Sequence, residues 1–404
     1  MSSWMQFFHE TRRSLIGEHR LRVRKARDRQ AEENPPACTD GSRVEPACDP
    51  ETRSHTLIDF STNDYLGLAR SELLITSAKA ALDAFGSGSG ASPLVSGYTS
   101  VHEELDRVLA DWFHTESAVC FSSGYAANVG VVPALVGEGD WILSDRLNHA
   151  SLIDGCRLSK AECTIYPHGD WQTVTEWLRD RRAQYRRVLI VTESVFSMDG
   201  DTAPLIELAT AAEQFDAGLV VDEAHAVGVY GTSGGGWIEE LRLTKRILLK
   251  LGTLSKSLGS CGGYAAGSST VIEHLVNTAR SYIFSTAMPP HVAAAARKAA
   301  AIVAGMNDER ARLRAMSKRL RVQLREQNWN TLDGDSPIIP VIVGDSEGAL
   351  RISQRLRDSG LIVPAIRPPT VPHRTARLRI SLSASHTDEE LSRLIRALGR
   401  YASD

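Results

Sequence analysis

One lysine, Lys256, stands where an apolar run gives way to small residues, in "ILLKLGTLSKSLGSCGG". A lysine that acts as a nucleophile must lie near a carbonyl group, in a partly desolvated place that favours its neutral amine. Small neighbours such as Thr253 and Ser255 leave space for a flat molecule and let the backbone approach it closely. Lys256 is therefore a candidate nucleophile, and a surface lysine in a flexible loop is the alternative interpretation.

Two ionisable residues, Asp222 and His225, follow another apolar run in "GLVVDEAH". A carboxylate at the mouth of a buried sheet needs a partner, because an unpaired buried charge is costly. A protonated heterocyclic nitrogen, an arginine or a metal ion would serve. No second acidic or histidine cluster lies nearby in the sequence, so we expect no metal site.

Polar residues also follow two other apolar runs. In "FSSGYAAN", Ser123, Gly124 and Tyr125 precede a helical pattern, where free N–H groups and the helix dipole favour an anion such as phosphate. A plain capped turn is the alternative. In "SDRLNHASLIDG", His149 could lie flat against a ring or be a structural histidine.

These four segments complement one another, because ligands of an α/β sheet bind where strands end and helices begin. A phosphate cup, a buried aspartate, a lysine and a histidine facing a ring are the parts needed to hold pyridoxal 5'-phosphate (PLP). In such a site Asp222 keeps the pyridine nitrogen protonated and Lys256 forms a Schiff base. The segments therefore predict PLP as the cofactor.

The elements that must position these residues alternate along the chain from Leu57 onward. Short apolar runs typical of strands, such as "RVLIVTES", are separated by helical patterns such as "LIELATAAEQFD". This alternation predicts an α/β fold with a mainly parallel sheet covered by helices. After Pro289 the pattern changes to a long Ala/Arg-rich helix and further strands, and Thr387 with Glu390 has the spacing of a capping box.

The length of 404 residues also favours more than one domain. Residues 1 to about 30 have the pattern of a basic amphipathic helix, and residues 31–55 that of an irregular connector. We predict three parts: the N-terminal helix and connector at 1–57, a large PLP-binding domain at 58–288 and a small C-terminal α/β domain at 289–404.

The composition excludes several classes of protein. A formal net charge of -3 provides no general attraction to nucleic acid or to a membrane surface. The six cysteines form no C-x-x-C pair, and no run reaches the roughly 18 apolar residues of a membrane span. The N-terminus lacks the features of a secretory signal. We therefore expect a cytoplasmic protein with reduced thiols and with no nucleic-acid or membrane partner.

Nine segments, in the family's order from about residue 59 to 386, resemble the α-oxoamine synthases, which are PLP enzymes of fold type I. The segments are "DFSTNDYLGLA", "GSGSGASPLVSGYTSVHEELD", "FSSGYAAN", "DRLNHASLIDG", "VTESVFSMDGDTAPL", "VDEAHAVGVYG", "TLSKSLGSCGG", "FSTAMPP" and "AIRPPTVPHRTARLRISLSASH". The resemblance implies that Lys256 carries the cofactor, that Asp222 pairs with its ring nitrogen and that His149 stacks on the ring.

Other cofactor contacts are implied only by this resemblance. His225 and Ser197 would bond polar substituents of the ring, and Thr253 would hold the phosphate with the Gly124 and Tyr125 amides. Family members of this kind are homodimers with the active site at the interface. Ser285 and Thr286 would then reach the phosphate from the neighbouring subunit.

Substrate contacts are expected in the C-terminal part. In "TARLRISLSA", Arg377 and Arg379 alternate with apolar residues, the period of a strand with one buried face, and both could simply be solvated. By resemblance, Arg379 binds the amino-acid carboxylate, because a planar guanidinium does so bidentately. The other substrate contacts that the resemblance implies are Arg22, Asn63 and Thr370.

Within the family, the chain is most similar to members that condense L-alanine with a pimeloyl thioester and release carbon dioxide, in biotin biosynthesis. Coenzyme A or acyl carrier protein could deliver the acyl group, and the freed Lys256 amine would remove the α-proton. Relatives that use glycine or serine with other acyl groups are the alternative, since few substitutions set pocket size.

Two other classes of protein could account for parts of the sequence. A dinucleotide-binding oxidoreductase would explain the glycines of "GSGSGAS", but these follow a helical pattern and not a strand. A non-catalytic protein that keeps the fold should have lost Lys256 or Asp222, and both are present.

Overall fold

The N-terminal helix is shorter than its basic pattern predicts. A computed structural model describes residues 3–22, 24, 57–399 and 401, and its first helix, Ser3–Gly17, ends well before residue 30. None of its side chains is buried. The predicted connector at 31–55 lies outside the described residues. No helix of the described residues combines the length and the apolar character of a membrane-spanning segment.

Strands and helices alternate through the rest of the chain. The strands are β1 Ile58–Asp59, β2 Ser117–Phe121, β3 Trp141–Asp145, β4 Glu162–Tyr166, β5 Val188–Glu193, β6 Gly218–Asp222, β7 Leu249–Thr253, β8 Gly263–Gly267, β9 Ile338–Gly344, β10 Leu361–Ile362, β11 Ala365–Ile366 and β12 Ala376–Ser381. The helices after the first are Glu72–Phe85, Ser100–Phe113, Gly124–Leu135, Ala150–Leu158, Trp171–Arg181, Leu205–Gln214, Trp237–Glu240, Ser269–Thr278, Arg280–Ile283, Pro290–Val303, Asn307–Glu326, Ser346–Asp358 and Asp388–Gly399.

Seven strands of the described chain form the central sheet, in the order β2-β8-β7-β6-β5-β3-β4. The pairs from β7 to β4 are parallel, and β8 is antiparallel to both of its neighbours. Every residue of β3, β5 and β7 is buried, as expected of apolar strands covered on both faces. The predicted α/β fold with a mainly parallel sheet is confirmed.

A second sheet, in the order β11-β12-β9, is antiparallel and packs with the last helices. The capping box predicted before the helix Asp388–Gly399 is present: Thr387 N donates to Glu390 Oε2 over 2.7 Å, and Glu390 N donates to Thr387 Oγ1 over 3.2 Å. The short strand β1 pairs in parallel with β10 and so ties the start of the large domain to this C-terminal part. The domain limits at 1–57, 58–288 and 289–404 stay a prediction.

Candidate active site

Lys256 lies in the loop after β7, half-buried, with its Nζ 2.7 Å from Nε2 of His225. Burial lowers the pKa of the Lys256 amine to about 8, although the carboxylates of Asp222 and Glu193 act in the opposite direction. The loop turns at Gly259, which has φ +60°, and a Cβ there would lie 2.4 Å from Ala69 N. This tight turn fixes the lysine, whose lowered pKa makes a neutral amine accessible near pH 8.

His225 connects the lysine to a buried tyrosine. Its Nδ1 lies 2.6 Å from the hydroxyl of Tyr65, which has no exposed surface. Burial and the charge of Lys256 hold the pKa of His225 well below its usual value, so the ring is neutral. If Nε2 accepts from Lys256, Nδ1–H donates to Tyr65, and the lysine is oriented by a chain of two hydrogen bonds.

Asp222 ends β6 and is 6% exposed. Its carboxylate accepts hydrogen bonds from Asn128 Nδ2 (2.7 Å) and from the Ala224 backbone N–H (2.9 Å). Asn128 Nδ2 also donates to Ser151 Oγ over 2.9 Å, which fixes the amide beside the carboxylate. The described residues contain no group of His, Cys, Asp and Glu side chains that could hold a metal ion. The two hydrogen bonds to Asp222 therefore hold its carboxylate in a fixed position.

The residues predicted to bind the phosphate, Ser123, Gly124 and Tyr125, lie at the start of the helix Gly124–Leu135. Ser123 caps this helix by accepting a hydrogen bond from the Ala126 N–H over 3.0 Å. The first N–H groups of a helix have no intrahelical partner, and they attract an anion. A Cβ on Gly124 would lie 3.1 Å from Thr253 Cβ, so glycine permits the helix start to approach β7 closely.

His149 caps the helix Ala150–Leu158, and its Nδ1 accepts from the Ser151 N–H over 3.3 Å. Desolvation lowers the pKa of His149, although Asp222 opposes that shift, which leaves a neutral ring. The ring lines the same cavity, of about 220 Å³, as the lysine. This cavity brings together the predicted residues Ser123, Gly124, Tyr125, His149, Asp222, His225, Thr253 and Lys256.

Asn128 and Glu193 also line this cavity, although neither is among the site residues predicted from the sequence. Glu193 ends β5 in register with Asp222 on β6, so both side chains stand on the same face of the sheet. It is 2% exposed, and its Oε1 has no partner among the described residues. Burial and the charge of Asp222 raise the pKa of Glu193 well above its usual value. A carboxyl group directly after "RVLIVT" was a signal of the same kind as Asp222 after "GLVV".

The arginines of β12 are not solvated. Arg377 and Arg379 are each 4% exposed, and the whole strand is buried on both faces, so the expectation of one buried face is wrong. Arg379 Nε donates to the Ser197 carbonyl over 2.6 Å, and Nη2 donates to Asn63 Oδ1 over 3.1 Å. The second face of β12 is covered because these guanidinium groups bind the loop after β5.

Of the other expected substrate contacts, Thr370 lines a neighbouring cavity of about 430 Å³, together with Ser197, whereas Asn63 bonds Arg379 and lines neither cavity. Arg22 Nη2 donates to Thr370 Oγ1 over 3.0 Å, which joins the N-terminal segment to this cavity. Ser197 lines this second cavity and not the cavity of Lys256. The two cavities adjoin, since Asn148 lines the second and His149 the first.

Ser285 and Thr286 line a third, small cavity with Tyr98, His102 and Asp106. They are absent from the wall of the Lys256 cavity within the described chain. Their predicted contact with phosphate therefore requires a second subunit, and it stays a prediction.

The groups along the Lys256 cavity fit the functional ends of PLP. The helix start with the Thr253 hydroxyl suits a phosphate, and Asp222 suits a protonated ring nitrogen. Lys256 supplies an amine for an aldehyde, and His149 offers a flat neutral ring. The space that Gly124 leaves between the helix and β7 is consistent with close backbone approach to such a group.

Comparisons with known proteins support the family expected from the motifs. The aminotransferase class I and II model matches residues 55–398. The chain is 46% identical over 370 residues to 8-amino-7-oxononanoate synthase of Geobacter sulfurreducens, covering 91% of this chain and 93% of that protein.

Two solved structures show the same fold. A variant of serine palmitoyltransferase from S. paucimobilis, solved with a bound PLP–myriocin aldimine, matches with a TM-score of 0.82 and 32% identity, covering 87% of this chain and 89% of that one. 8-Amino-7-oxononanoate synthase from Francisella tularensis matches with a TM-score of 0.74 and 29% identity, covering 86% and 98%. The chain therefore belongs to the aminotransferase class I and II family and, within it, to the α-oxoamine synthases.

Proposed function

We propose that the protein is a PLP-dependent 8-amino-7-oxononanoate synthase, which condenses L-alanine with a pimeloyl thioester and releases carbon dioxide and the free thiol. The observation that carries this proposal is the Lys256 cavity, which joins an amine of lowered pKa, a buried aspartate and a phosphate cup. The curated relatives at 44–46% identity over most of the chain support the same reaction.

PLP, when bound, supplies a protonated ring that stabilises negative charge on the α-carbon of the amino acid. Asp222 would keep the ring nitrogen protonated, and Asn128 holds this carboxylate in place over 2.7 Å. Ser123, the Gly124 and Tyr125 amides and Thr253 would bind the phosphate. His149 would face the ring and His225 would bond a polar substituent, whereas Ser197 lines the adjoining cavity.

Lys256 has two roles in this proposal. Its amine would hold the cofactor through the aldehyde group, and as a free amine it would remove the α-proton of alanine as a general base. Both roles need the neutral amine, which the lowered pKa of about 8 makes available near neutral pH. The hydrogen bond to His225 directs this amine within the cavity.

Arg379 binds the alanine carboxylate. Nε is held by the Ser197 carbonyl and Nη2 by Asn63. The remaining N–H groups are therefore oriented by the bound ones and available to a substrate carboxylate. Thr370 and Arg22 border the adjoining cavity, which we assign to the acyl group.

Three measurements test the function. Purified protein should be yellow, and borohydride should fix the cofactor to the peptide that contains Lys256. Thiol release should then be assayed with alanine, glycine and serine, each combined with acyl-CoA of several lengths. Alanine with pimeloyl-CoA should be the best pair. Serine with a long-chain acyl-CoA, the second candidate because of the serine palmitoyltransferase structures, should be poor.

We also propose a homodimer in which Ser285 and Thr286 complete the phosphate site of the other subunit. This explains why they lie away from the Lys256 cavity in a single chain. Light scattering should give the mass of a dimer. Co-expression of Lys256→Ala with a Ser285→Ala/Thr286→Ala chain should yield hybrid dimers that are more active than either variant alone. No complementation would contradict the shared site.

A cytoplasmic location remains part of the proposal. Cys120, Cys156, Cys163 and Cys261 are free thiols in the described chain, which is usual in a reducing compartment. Localisation of a tagged protein by cell fractionation tests this expectation.

A further inference from the structure

The cavity that we assign to the acyl group has a mainly apolar wall. Leu147, Ile153, Phe196, Met198 and Val371 line it, together with a run of prolines. Its volume is about 430 Å³, and it adjoins the Lys256 cavity at the Asn148–His149 step. A hydrocarbon chain attached to a thioester carbonyl near Lys256 would therefore find an apolar surface here.

Few charged side chains line this cavity, and they differ in whether they have a partner. Asp199 forms an ion pair with Arg377, which neutralises it. Arg146 also lines the cavity, and its side chain makes no hydrogen bond or ion pair with any described residue. Other arginines of this region are engaged: Arg22 donates to Thr370, and Arg367 donates to the His19 carbonyl. Among the described residues that line this wall, Arg146 is therefore an arginine without a partner.

The backbone of Arg146 is fixed on both sides. Its N–H donates to the Tyr166 carbonyl over 3.1 Å. The buried Asp145 accepts from the Leu147 N–H over 2.8 Å, and Asn148 Nδ2 donates to the Val191 carbonyl over 2.8 Å. The loop therefore presents a free guanidinium from a rigid base, which lowers the entropic cost of binding an anion there.

We propose that Arg146 binds the terminal carboxylate of the acyl substrate and so selects a dicarboxylic acyl group. This inference rests on the proposed function, because a pimeloyl group carries a carboxylate at the end remote from the thioester. A carboxylate placed in an apolar cavity without a partner is costly, and a planar guanidinium satisfies it with two parallel hydrogen bonds. A monocarboxylic acyl group of equal length would leave Arg146 unpaired and gain nothing from it.

The test compares pimeloyl-CoA with heptanoyl-CoA, which has the same chain length without the terminal carboxylate. In Arg146→Met, kcat/KM for pimeloyl-CoA should fall roughly 10- to 100-fold, the range of one hydrogen-bonded charge contact. The value for heptanoyl-CoA should change little, and Arg146→Lys should keep part of the preference because it keeps the charge. The KM for alanine and the visible absorbance should match the wild type, which shows that the fold and the cofactor site are intact.

Arg179→Met serves as the matched control, because Arg179 is exposed on the helix Trp171–Arg181 and lines none of these cavities. It should keep the wild-type ratio of pimeloyl to heptanoyl activity. His373→Asn tests the histidine on the wall, and it should also keep the ratio.

Two failures can be told apart. If the wild type uses heptanoyl-CoA as well as pimeloyl-CoA, the proposed substrate itself is wrong. If the wild type prefers pimeloyl-CoA and Arg146→Met keeps that preference, only the assignment of Arg146 is overturned. A loss of preference in His373→Asn with none in Arg146→Met would overturn it in favour of the histidine.

Discussion

The side-chain nitrogens of Lys256 and His225 lie 2.7 Å apart at the base of the active-site cavity. Neither group has its ordinary affinity for protons, since burial lowers the pKa of both. His225 stays neutral and can accept a hydrogen bond, while the Lys256 amine releases its proton near pH 8. The hydrogen bond to His225 therefore holds a lysine whose amine becomes neutral near pH 8. The neutral amine is the form that can act as a nucleophile or as a base.

We predict that the apoprotein captures PLP faster as the pH rises through about 8. Only the neutral amine attacks the aldehyde, and the Lys256 pKa of about 8 sets the midpoint of its formation. Stopped-flow absorbance at a series of pH values from 6 to 10 measures the rate. A midpoint near 10.5, the value of an ordinary lysine, would show that the amine is not desolvated. Lys256→Ala provides the baseline and should show no capture.

We expect Arg379→Lys to raise the KM for alanine roughly 10- to 100-fold, because lysine cannot bind the carboxylate bidentately. Steady-state kinetics with alanine as the varied substrate checks this. Arg377→Lys is the matched control on the same strand, because Arg377 forms an ion pair with Asp199, whereas Arg379 bonds the Ser197 carbonyl and Asn63. It should reduce thermal stability while leaving the KM for alanine close to wild type. An equal change in KM for both variants would contradict the assignment of Arg379.

The central strands could be predicted because buried parallel strands have continuous Val, Ile and Leu runs, such as "RVLIVTE" for β5. The pairing of β1 with β10 could not, since it joins segments far apart in the chain and only two residues of each take part. The burial of Arg377 and Arg379 could not be predicted from the sequence either. An alternating pattern indicates one buried face of the strand, and it does not show that a polar loop covers the other face.

The cavity residues divide in the same way. Lys256 and Asp222 could be recognised in the sequence because each follows an apolar run. A charged side chain at the end of a buried strand is costly unless it has a partner. Asn128 has no such signal: an asparagine one turn into a helix becomes informative only when the helix places it 2.7 Å from Asp222. Glu193 follows an apolar run as Asp222 does, but only the β5–β6 register shows that the two carboxyl groups stand side by side.

We predict that Glu193→Gln stabilises the apoprotein increasingly as the pH rises. Burial and the nearby Asp222 raise the folded-state pKa of Glu193, opposed by Lys256, so the folded protein keeps a proton that the unfolded chain releases above its ordinary pKa. Stability from this group is therefore present at low pH and is lost as the pH rises, by at most about 1.4 kcal/mol per pH unit. Glutamine removes this loss.

Urea unfolding of the apoproteins between pH 4.5 and 8 measures this effect, with the exposed Glu326→Gln as control. The difference in free energy of unfolding between Glu193→Gln and wild type should grow with pH, and that for Glu326→Gln should stay constant. A constant difference for both would mean that Glu193 is ionised in the folded apoprotein.

His168 links the loop that carries His149 to the loop that carries Ser197, because it contacts one aspartate in each region. Its Nδ1 lies 2.9 Å from Asp145 Oδ1, and its Nε2 lies 2.7 Å from Asp201 Oδ2. Burial opposes the charged form, but the hydrogen bonds to both carboxylates dominate and raise the pKa of His168 to about 10. A histidine whose folded pKa is raised stabilises fully below its unfolded pKa of about 6.5, and this stability is lost as the pH rises toward 10.

His168→Asn should therefore be less stable than wild type at pH 6, and the difference should shrink steadily up to about pH 10. Thermal unfolding across this range checks it, with the exposed His274→Asn as a matched control whose partner is the Ala134 carbonyl alone. Because His168 joins the end of β3 to the loop after β5, its loss should also loosen Arg146 and Ser197. The KM for pimeloyl-CoA should accordingly rise in His168→Asn and stay unchanged in His274→Asn. A variant with wild-type stability at pH 6 would show that the two carboxylates hold no charged histidine.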